Sequence, residues 1–258
     1  MIEVSNLTKE FELTRQQRKE LNTTNKIALA VDNISFKCEP GRVFSLLGPN
    51  GAGKTTTLRM LSTIFKPTSG SINIAGIDAV KNPQEARGKI GFLTGSTGLY
   101  ARLTPDEVID YFAALYSVPK NLLEERKERL FNLLDMQEFR GKRIGKLSTG
   151  MKQKVSICRT MIHDPEVVVF DEPTSGLDVI TAENIITLIR DCKTQGKTVI
   201  FSSHIMSEVD LLCDDLAIIH KGKMLYEGTM NDFRSNMQTD NLTSEFIRII
   251  HASQNAAL

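Results

Sequence analysis

The chain has 258 residues, 41% of them hydrophobic and 24% charged, with 32 Lys and Arg against 31 Asp and Glu. This is an ordinary globular composition, long enough for one large domain or a domain with a subdomain. A net charge of +1 gives no broad electrostatic pull toward nucleic acid or an acidic membrane. The four cysteines (Cys38, Cys158, Cys192, Cys213) are scattered without a C-x-x-C pair, which argues against a disulfide framework or zinc site and for reduced thiols in a cytosolic chain. "MIEVSNLTKEF" lacks a signal pattern, and no apolar run approaches the roughly 20 residues of a membrane helix.

The chain opens on strands. "MIEVSNLT" and "IALAVDNISFKCE" alternate apolar and polar residues, and "RVFSLLG" is a short buried run ending at a glycine loop. The polar stretch "ELTRQQRKELNTTNK" between the first two reads as a solvated hairpin extension. "TTTLRMLSTIF" suits a helix, and Gly70 and Gly76 punctuate the following strands. From about residue 95 to 163 the pattern turns helical. In "LTPDEVIDYFAALY", Thr104 caps, Pro105 takes the first helical position and Glu107 completes a capping box, with Val108, Phe112, Leu115 and Tyr116 at helical spacing. "PKNLLEERKERLFNLL" follows, with Asn121 as its expected cap and Leu122, Leu123, Leu130, Leu133 and Leu134 on one face. "EVVVFDEP" then reads as a strand buried on both sides. "AENIITLIRDCKTQG" is a helix stopping at Gly196, "KTVIFSSH" is a strand, and "DLAIIHKGKMLYEG" carries a Lys-Gly hairpin signal. The tail from Met230 is weakly helical.

Three stretches carry chemistry. "GPNGAGKT" fits the phosphate-binding pattern G-x-x-x-x-G-K-[ST], running Gly48, Gly53, Lys54, Thr55. Its glycines let backbone N–H groups wrap phosphate oxygens, Lys54 reaches the β- and γ-phosphates, and Thr55 coordinates Mg²⁺. A structural glycine turn would explain the glycines but not the whole pattern between a strand and a helix. In "VVVFDE", Asp171 at the strand end is placed to hold the metal's water shell, and Glu172 to act as general base on water attacking the γ-phosphate. Read alone, the pair is equally well a strand-end acidic pair; with the loop upstream, it points to ATP or GTP hydrolysis. "KLSTGMKQK" opens a second helix whose start would attract an anion, yet it has no phosphate-binding lysine.

"GPNGAGKTT", "LSTGMKQK", "VVVFDEPTSGLD" and "FSSH", in that order, resemble the nucleotide-binding domain of ATP-binding cassette (ABC) proteins across essentially the whole chain. The resemblance implies an α/β fold: a P-loop NTPase with a RecA-like core, an N-terminal antiparallel β-subdomain and an inserted α-helical subdomain. The single domain would divide into core and β-subdomain at 1–94 and 164–229, helical subdomain at 95–163 and tail at 230–258. ATP and Mg²⁺ are the implied cofactors, with residues 50–56 (Asn50, Gly51, Ala52, Gly53, Lys54, Thr55, Thr56) around the phosphates. The signature helix (Leu147, Ser148, Thr149, Gly150) would cap the γ-phosphate of ATP held by a second subunit, so no lysine is needed there. The "SGLD" stretch at 175–178, ending in Asp178, would communicate across the dimer; His204 would bond the γ-phosphate, and Phe11 would stack on adenine. Three departures stand out. Thr149 and Met151 replace the usual second glycine and glutamine of the signature. Thr94, Gly95 and Ser96 lie where a glutamine is usual, so either Ser96 or water takes its place, or hydrolysis is coupled differently. The third is the polar N-terminal insertion.

By the same resemblance, the chain is expected to be the ATPase subunit of a transporter, cytoplasmic and peripheral on the inner face of the membrane. It would pair with a second cassette as a homodimer and with a separate integral permease, and bind no nucleic acid. "IGFLTGSTGLYARLTPDEVIDYFAALY" and "TMIHDPEVVVFDEPTSGLD" are most similar to export cassettes, in particular sodium-extrusion ATPases. A drug, lipid or polysaccharide exporter stays open. The competing class is a soluble ABC ATPase of translation or chromosome maintenance, which usually joins two cassettes, inserts long coiled coils or carries zinc-binding cysteines. A P-loop kinase or GTPase would lack the signature helix and the histidine.

Overall fold

A computed structural model of the protein describes residues 1–20, 22–94 and 98–255. Strands β1 (Ile2–Glu12) and β2 (Ile27–Cys38) pair antiparallel, and their connection contains α1 (Arg15–Glu20), a six-residue helix with no buried side chain. The described part of the polar insertion is thus solvated, as its composition demands. Next, β3 (Val43–Leu47) runs through the glycine loop into α2 (Lys54–Leu61). Strands β4 (Ser69–Ile74) and β5 (Ile77–Asp78) return beside β1, and α3 (Pro83–Lys89) leads to β6 (Ile90–Leu93). Among the described residues three α-helices follow, α4 (Pro105–Leu115), α5 (Lys120–Leu133) and α6 (Thr149–Met161), with a single 3-10 turn at Ile144–Lys146 before the last. The rest alternates as β7 (Val167–Asp171), α7 (Val179–Thr194), β8 (Thr198–Ser203), α8 (Met206–Leu212), β9 (Asp215–His220) and β10 (Lys223–Thr229), and ends in α9 (Met230–Ser235) and α10 (Leu242–Asn255).

The strands form two sheets. One is antiparallel, in the order β2-β1-β4-β5; the other runs β10-β9-β3-β8-β7-β6, parallel except for the β9–β10 hairpin. That hairpin turns at Lys221 and Gly222, both at positive φ, as the Lys-Gly signal predicts. Strands β3, β7, β8 and β9 are buried on both faces, which is why they read as unbroken apolar runs. Val168, Phe170, Val199, Phe201, Leu216 and Ile218 join the core under the helices. Their alternates Val167, Val169, Ile200, Ala217 and Ile219 join a second core against the antiparallel sheet and α2. Period-two alternation therefore feeds two cores from one sheet.

The capping box at Thr104 is present: the hydroxyl accepts from Glu107 N–H at 3.3 Å, and Glu107 Oε2 accepts from Thr104 N–H at 2.8 Å. Helix α5 corrects an expectation. It begins at Lys120 with Pro119 at the cap position, so Asn121 lies inside it; the Pro119 carbonyl accepts from the N–H groups of Leu122 and Leu123. Arg140 braces α4 against α5. It grips Asp106 with both forks (2.9 and 2.8 Å) and Glu128 with the third nitrogen (2.6 Å). Leu115 and Tyr116, expected on a buried face, are exposed; Ile109 and Ala113 fill the core in their place.

His163, just beyond α6, stacks on Tyr116 with ring centroids 3.8 Å apart and planes 9° from parallel. Its Nε2 donates to the Ile90 carbonyl at 3.1 Å, while Nδ1 is buried with no hydrogen-bond partner among the described residues. Burial pushes its pKa down to about 4, and Arg126 and Lys197 push the same way. The unfolded chain therefore binds this proton first, so stability is full above the unfolded pKa of about 6.5 and falls as pH drops toward 4. His163→Phe keeps a stacking ring and removes the titration. Between pH 7 and pH 5 it should lose about 1–2 kcal/mol less stability than the parent chain, read from urea midpoints; an equal loss would show that His163 does not titrate this way.

Candidate functional site

The parallel pairing places Leu47 opposite Ser203 and Asp171 opposite Ser202. The carboxyl ends of β3, β7 and β8 therefore lie side by side, and the segments leaving them carry the glycine loop, Glu172 and His204. Gly48 is required at the first exit, because a Cβ there would stand 2.3 Å from the Ile219 carbonyl oxygen. Gly53, at φ +109°, occupies the cap position of α2, where a Cβ would meet the Ala30 carbonyl oxygen at 2.6 Å. No side chain among the described residues caps this helix, which leaves its first-turn N–H groups to an acceptor from outside the chain.

A cavity of about 160 Å³ lies over this helix start, lined by Ala30, Glu172 and residues 50–56. Lys54 is buried beneath it and donates to the carbonyls of Gly48 (2.6 Å) and Pro49 (3.2 Å). Burial lowers the pKa of its ammonium, and the carboxylates of Glu172 and Asp171 partly oppose that. The Thr55 hydroxyl donates to Asp171 Oδ1 at 3.1 Å. A hydroxyl and a carboxylate at this separation form the hard, oxygen-only donor set that Mg²⁺ prefers, so these two residues fit such an ion directly or through its waters.

Ser202 meets the same Asp171 oxygen and does work that the sequence does not reveal. Its buried hydroxyl donates to Asp171 Oδ1 at 2.8 Å and accepts from the Glu172 N–H at 3.0 Å. One side chain thus fixes both carboxylate-bearing residues. Glu172 sits at φ +49°, a left-handed conformation that costs a non-glycine residue about 1–3 kcal/mol unless its surroundings enforce it. Its Oε1 lies 3.4 Å from His204 Nδ1, and the imidazole is half exposed. The only sequence signal for Ser202 is a polar pair closing an apolar strand before a histidine.

The remaining predicted residues lie elsewhere. Ser148 caps α6, its hydroxyl accepting from Met151 N–H at 3.2 Å, and neither it, Thr149 nor Gly150 lines the phosphate cavity of the same chain. Gly150 instead faces the start of α7, where an added Cβ would meet Thr181 Oγ1 at 3.3 Å and Asp178 Oδ2 at 3.4 Å. Asp178 caps α7, accepting from the N–H and hydroxyl of Thr181, both at 2.9 Å; those bonds lower its pKa. Phe11 pairs with Ala28 across the β1–β2 ladder, two residues from the cavity-lining Ala30. Its ring meets Phe65 edge-on at 5.4 Å, and Lys9 Nζ stands 5.0 Å from its centroid. Thr94 is described, whereas Gly95 and Ser96 lie outside the described residues.

Known proteins resemble this chain in sequence and fold. The ABC transporter family model matches residues 31–175. The ABC transporter ATP-binding protein NatA of Bacillus subtilis (strain 168) is 41% identical over 223 residues, covering 86% of this chain and 91% of that protein. The bacitracin transport ATP-binding protein BcrA of Bacillus licheniformis is 40% identical over 200 residues, 77% of this chain and 64% of that one. A solved dimeric bacterial ABC transporter cassette superposes with a TM-score of 0.77 at 25% identity, over 89% of this chain and 99% of that one. An uncapped phosphate-loop helix, its buried lysine, and a carboxylate pair at the neighbouring strand end are the parts of a nucleotide hydrolase. Together with these matches they place the chain in the ABC transporter family, as one of its ATP-binding, ATP-hydrolysing subunits.

Proposed function

We propose that the chain hydrolyses ATP as a pair of identical cassettes, each completing the other's site, and so powers export through a separate membrane permease. The observation that carries the hydrolytic reading is that Glu172 lines the same cavity as Lys54 and Thr55. Backbone N–H groups of residues 50–56 bind the phosphates, Lys54 turns from the loop carbonyls to the β- and γ-phosphates, and Phe11 stacks on adenine. Thr55 and Asp171 hold Mg²⁺, which when bound neutralises charge on the phosphates. Glu172 takes a proton from water as its oxygen bonds to the γ-phosphorus and the bond to the β–γ bridging oxygen breaks, releasing ADP and phosphate. His204, beside Glu172, orients that carboxylate and donates to the γ-phosphate.

The second cassette supplies Ser148, Thr149 and the backbone of Gly150 to the γ-phosphate. Support comes from their position at an anion-attracting helix start outside their own chain's cavity. Asp178, packed beside Gly150, lies where it can relay closure from one site to the other. The exposed start of α7, where Val179 and Ile180 are 85% and 73% exposed, suits burial between two copies.

We take residues 95–163 as the unit that docks on the permease. Tyr100, Tyr111, Leu115 and Tyr116 are exposed there, and Tyr100 packs edge-on against Tyr111 at 6.0 Å. Arg159, its guanidinium 5.0 Å from the Phe112 ring, has no ion pair among the described residues and lines a groove with Tyr116 and His163. Burial lowers its pKa. An aromatic surface with an unpaired cation suits a short apolar segment carrying a carboxylate. No helix among the described residues is long and apolar enough to cross a membrane. We assign such a segment to the separate permease, with this chain peripheral on the cytoplasmic face. Sodium is our proposed cargo, supported by the resemblance of 90–116 and 160–178 to sodium-extrusion cassettes.

Glu172→Gln should bind ATP with little change while kcat falls by about 10²–10⁴-fold; full turnover in a steady-state ATPase assay would remove Glu172 as the base. Ser148→Arg should abolish turnover yet leave ATP binding to the separate chain intact, measured by calorimetry; loss of binding would contradict action on a partner's nucleotide. Tyr111→Glu should retain ATP binding and lose the permease on affinity purification from membranes. Vesicles holding the complex should move ²²Na⁺ on addition of ATP. Transport of a peptide antibiotic without sodium would replace the cargo assignment.

A further inference from the structure

The ends of β7 and β8 are tied together twice. Ser202 makes the inner tie; the outer one comes from α8. There Glu208 Oε1 accepts from the Thr174 hydroxyl at 2.6 Å, and Oε2 accepts from the Ser203 hydroxyl at 3.0 Å. Thr174 stands two residues after Glu172, and Ser203 directly precedes His204. Each oxygen of one carboxylate therefore holds one of the two loops. Both hydroxyls are buried, and Ser203 Oγ also accepts from the Ile205 N–H at 3.0 Å, so its lone proton is directed at Glu208. A carboxylate is the one common side-chain group that accepts from two hydroxyls at once through separate oxygens. Glu208 makes no ion pair among the described residues, so no salt bridge accounts for its charge. An acidic residue in the first turn of α8 complements the helix dipole, but the dipole alone does not aim it at both loops.

We infer that Glu208 is a positioning residue for ATP hydrolysis, holding the Glu172 and His204 loops at one spacing without touching the nucleotide. The inference rests on the roles proposed above for those two residues. Glu172 is then held from both sides of its left-handed backbone: at its own N–H by Ser202, and at Thr174 by Glu208. The same loop is tied to the signature helix, since Gln153 Nε2 donates to the Pro173 carbonyl at 3.3 Å.

The test is steady-state ATPase kinetics and ATP affinity of the full chain carrying Glu208→Ala, Glu208→Gln, Thr174→Val or Ser203→Ala, with Glu172→Gln and His204→Ala as controls. Glu208→Ala should lower kcat by about tenfold or more while KM and ATP affinity stay within about twofold. Glu208→Gln keeps one acceptor oxygen and should recover part of the rate. Thr174→Val should cost less than Glu208→Ala and add nothing on top of it, because both remove the same bond. Should Glu208→Ala fold poorly, Thr174→Val and Ser203→Ala still read the two bonds in nearly isosteric form. Parental kcat in Glu208→Ala, or in both hydroxyl variants, would overturn the inference, as would a loss confined to KM. With Glu172→Gln and His204→Ala inactive, that failure is Glu208's alone. If those two controls turn over normally, the underlying site reading falls and takes this inference with it.

Discussion

Parallel pairing of β3, β8 and β7 is the constraint on which the site depends. Three carboxyl strand ends share one edge, so the glycine loop, the carboxylate pair and the histidine meet although more than a hundred residues separate the first from the last. Their mutual spacing follows from register, because Ser202 lies opposite Asp171 in the ladder and bonds both Asp171 and the Glu172 N–H. A slip of one residue would turn Ser202 to the other face and release both. The two cores guard against that slip: the same alternation packs Phe170 and Phe201 under the helices, and Val169 and Ile200 against the antiparallel sheet.

Within that frame the charges are arranged for use. Lys54 is a buried ammonium satisfied by neutral carbonyls, with two carboxylates near enough to oppose the effect of burial on its pKa. A phosphate offers it a charged acceptor, which is a stronger partner than a carbonyl. Strained Glu172 backbone, the half-exposed His204 and the shared Asp171–Thr55 contact then lie within one small region, where small movements of two loops change the chemistry. The signature helix meets those loops through Gln153 and through the contact of Gly150 with the start of α7. A second copy engaging that helix would therefore press on the segment that carries Glu172.

Much of this was legible in the residues, for reasons that differ by element. The phosphate loop is legible because only its glycine spacing permits the backbone path, and the doubly buried strands because unbroken Val, Ile and Phe runs have few other uses. The Thr104 capping box and the Lys221–Gly222 hairpin are local, and local rules suffice for them. What escaped is non-local. The Ser202 clamp and the Glu208 tie exist only once β7 and β8 are in register. Leu115 and Tyr116 follow helical spacing yet face outward, because α4 buries Ile109 and Ala113 instead. The cap of α5 is Pro119 and not Asn121, because a proline with its fixed φ serves there without a side-chain acceptor. Phe11, read as an adenine platform, also packs on Phe65, a contact between distant segments that no motif encodes.

The proposed function stands or falls on one chain's signature helix completing another chain's site. The most direct measurement is the sedimentation of Glu172→Gln with and without Mg·ATP. Pairing of two copies should appear as a shift from monomer to dimer on adding nucleotide, reversed by Ser148→Arg in the same chain. A monomer at saturating Mg·ATP would contradict pairing of this cassette with itself.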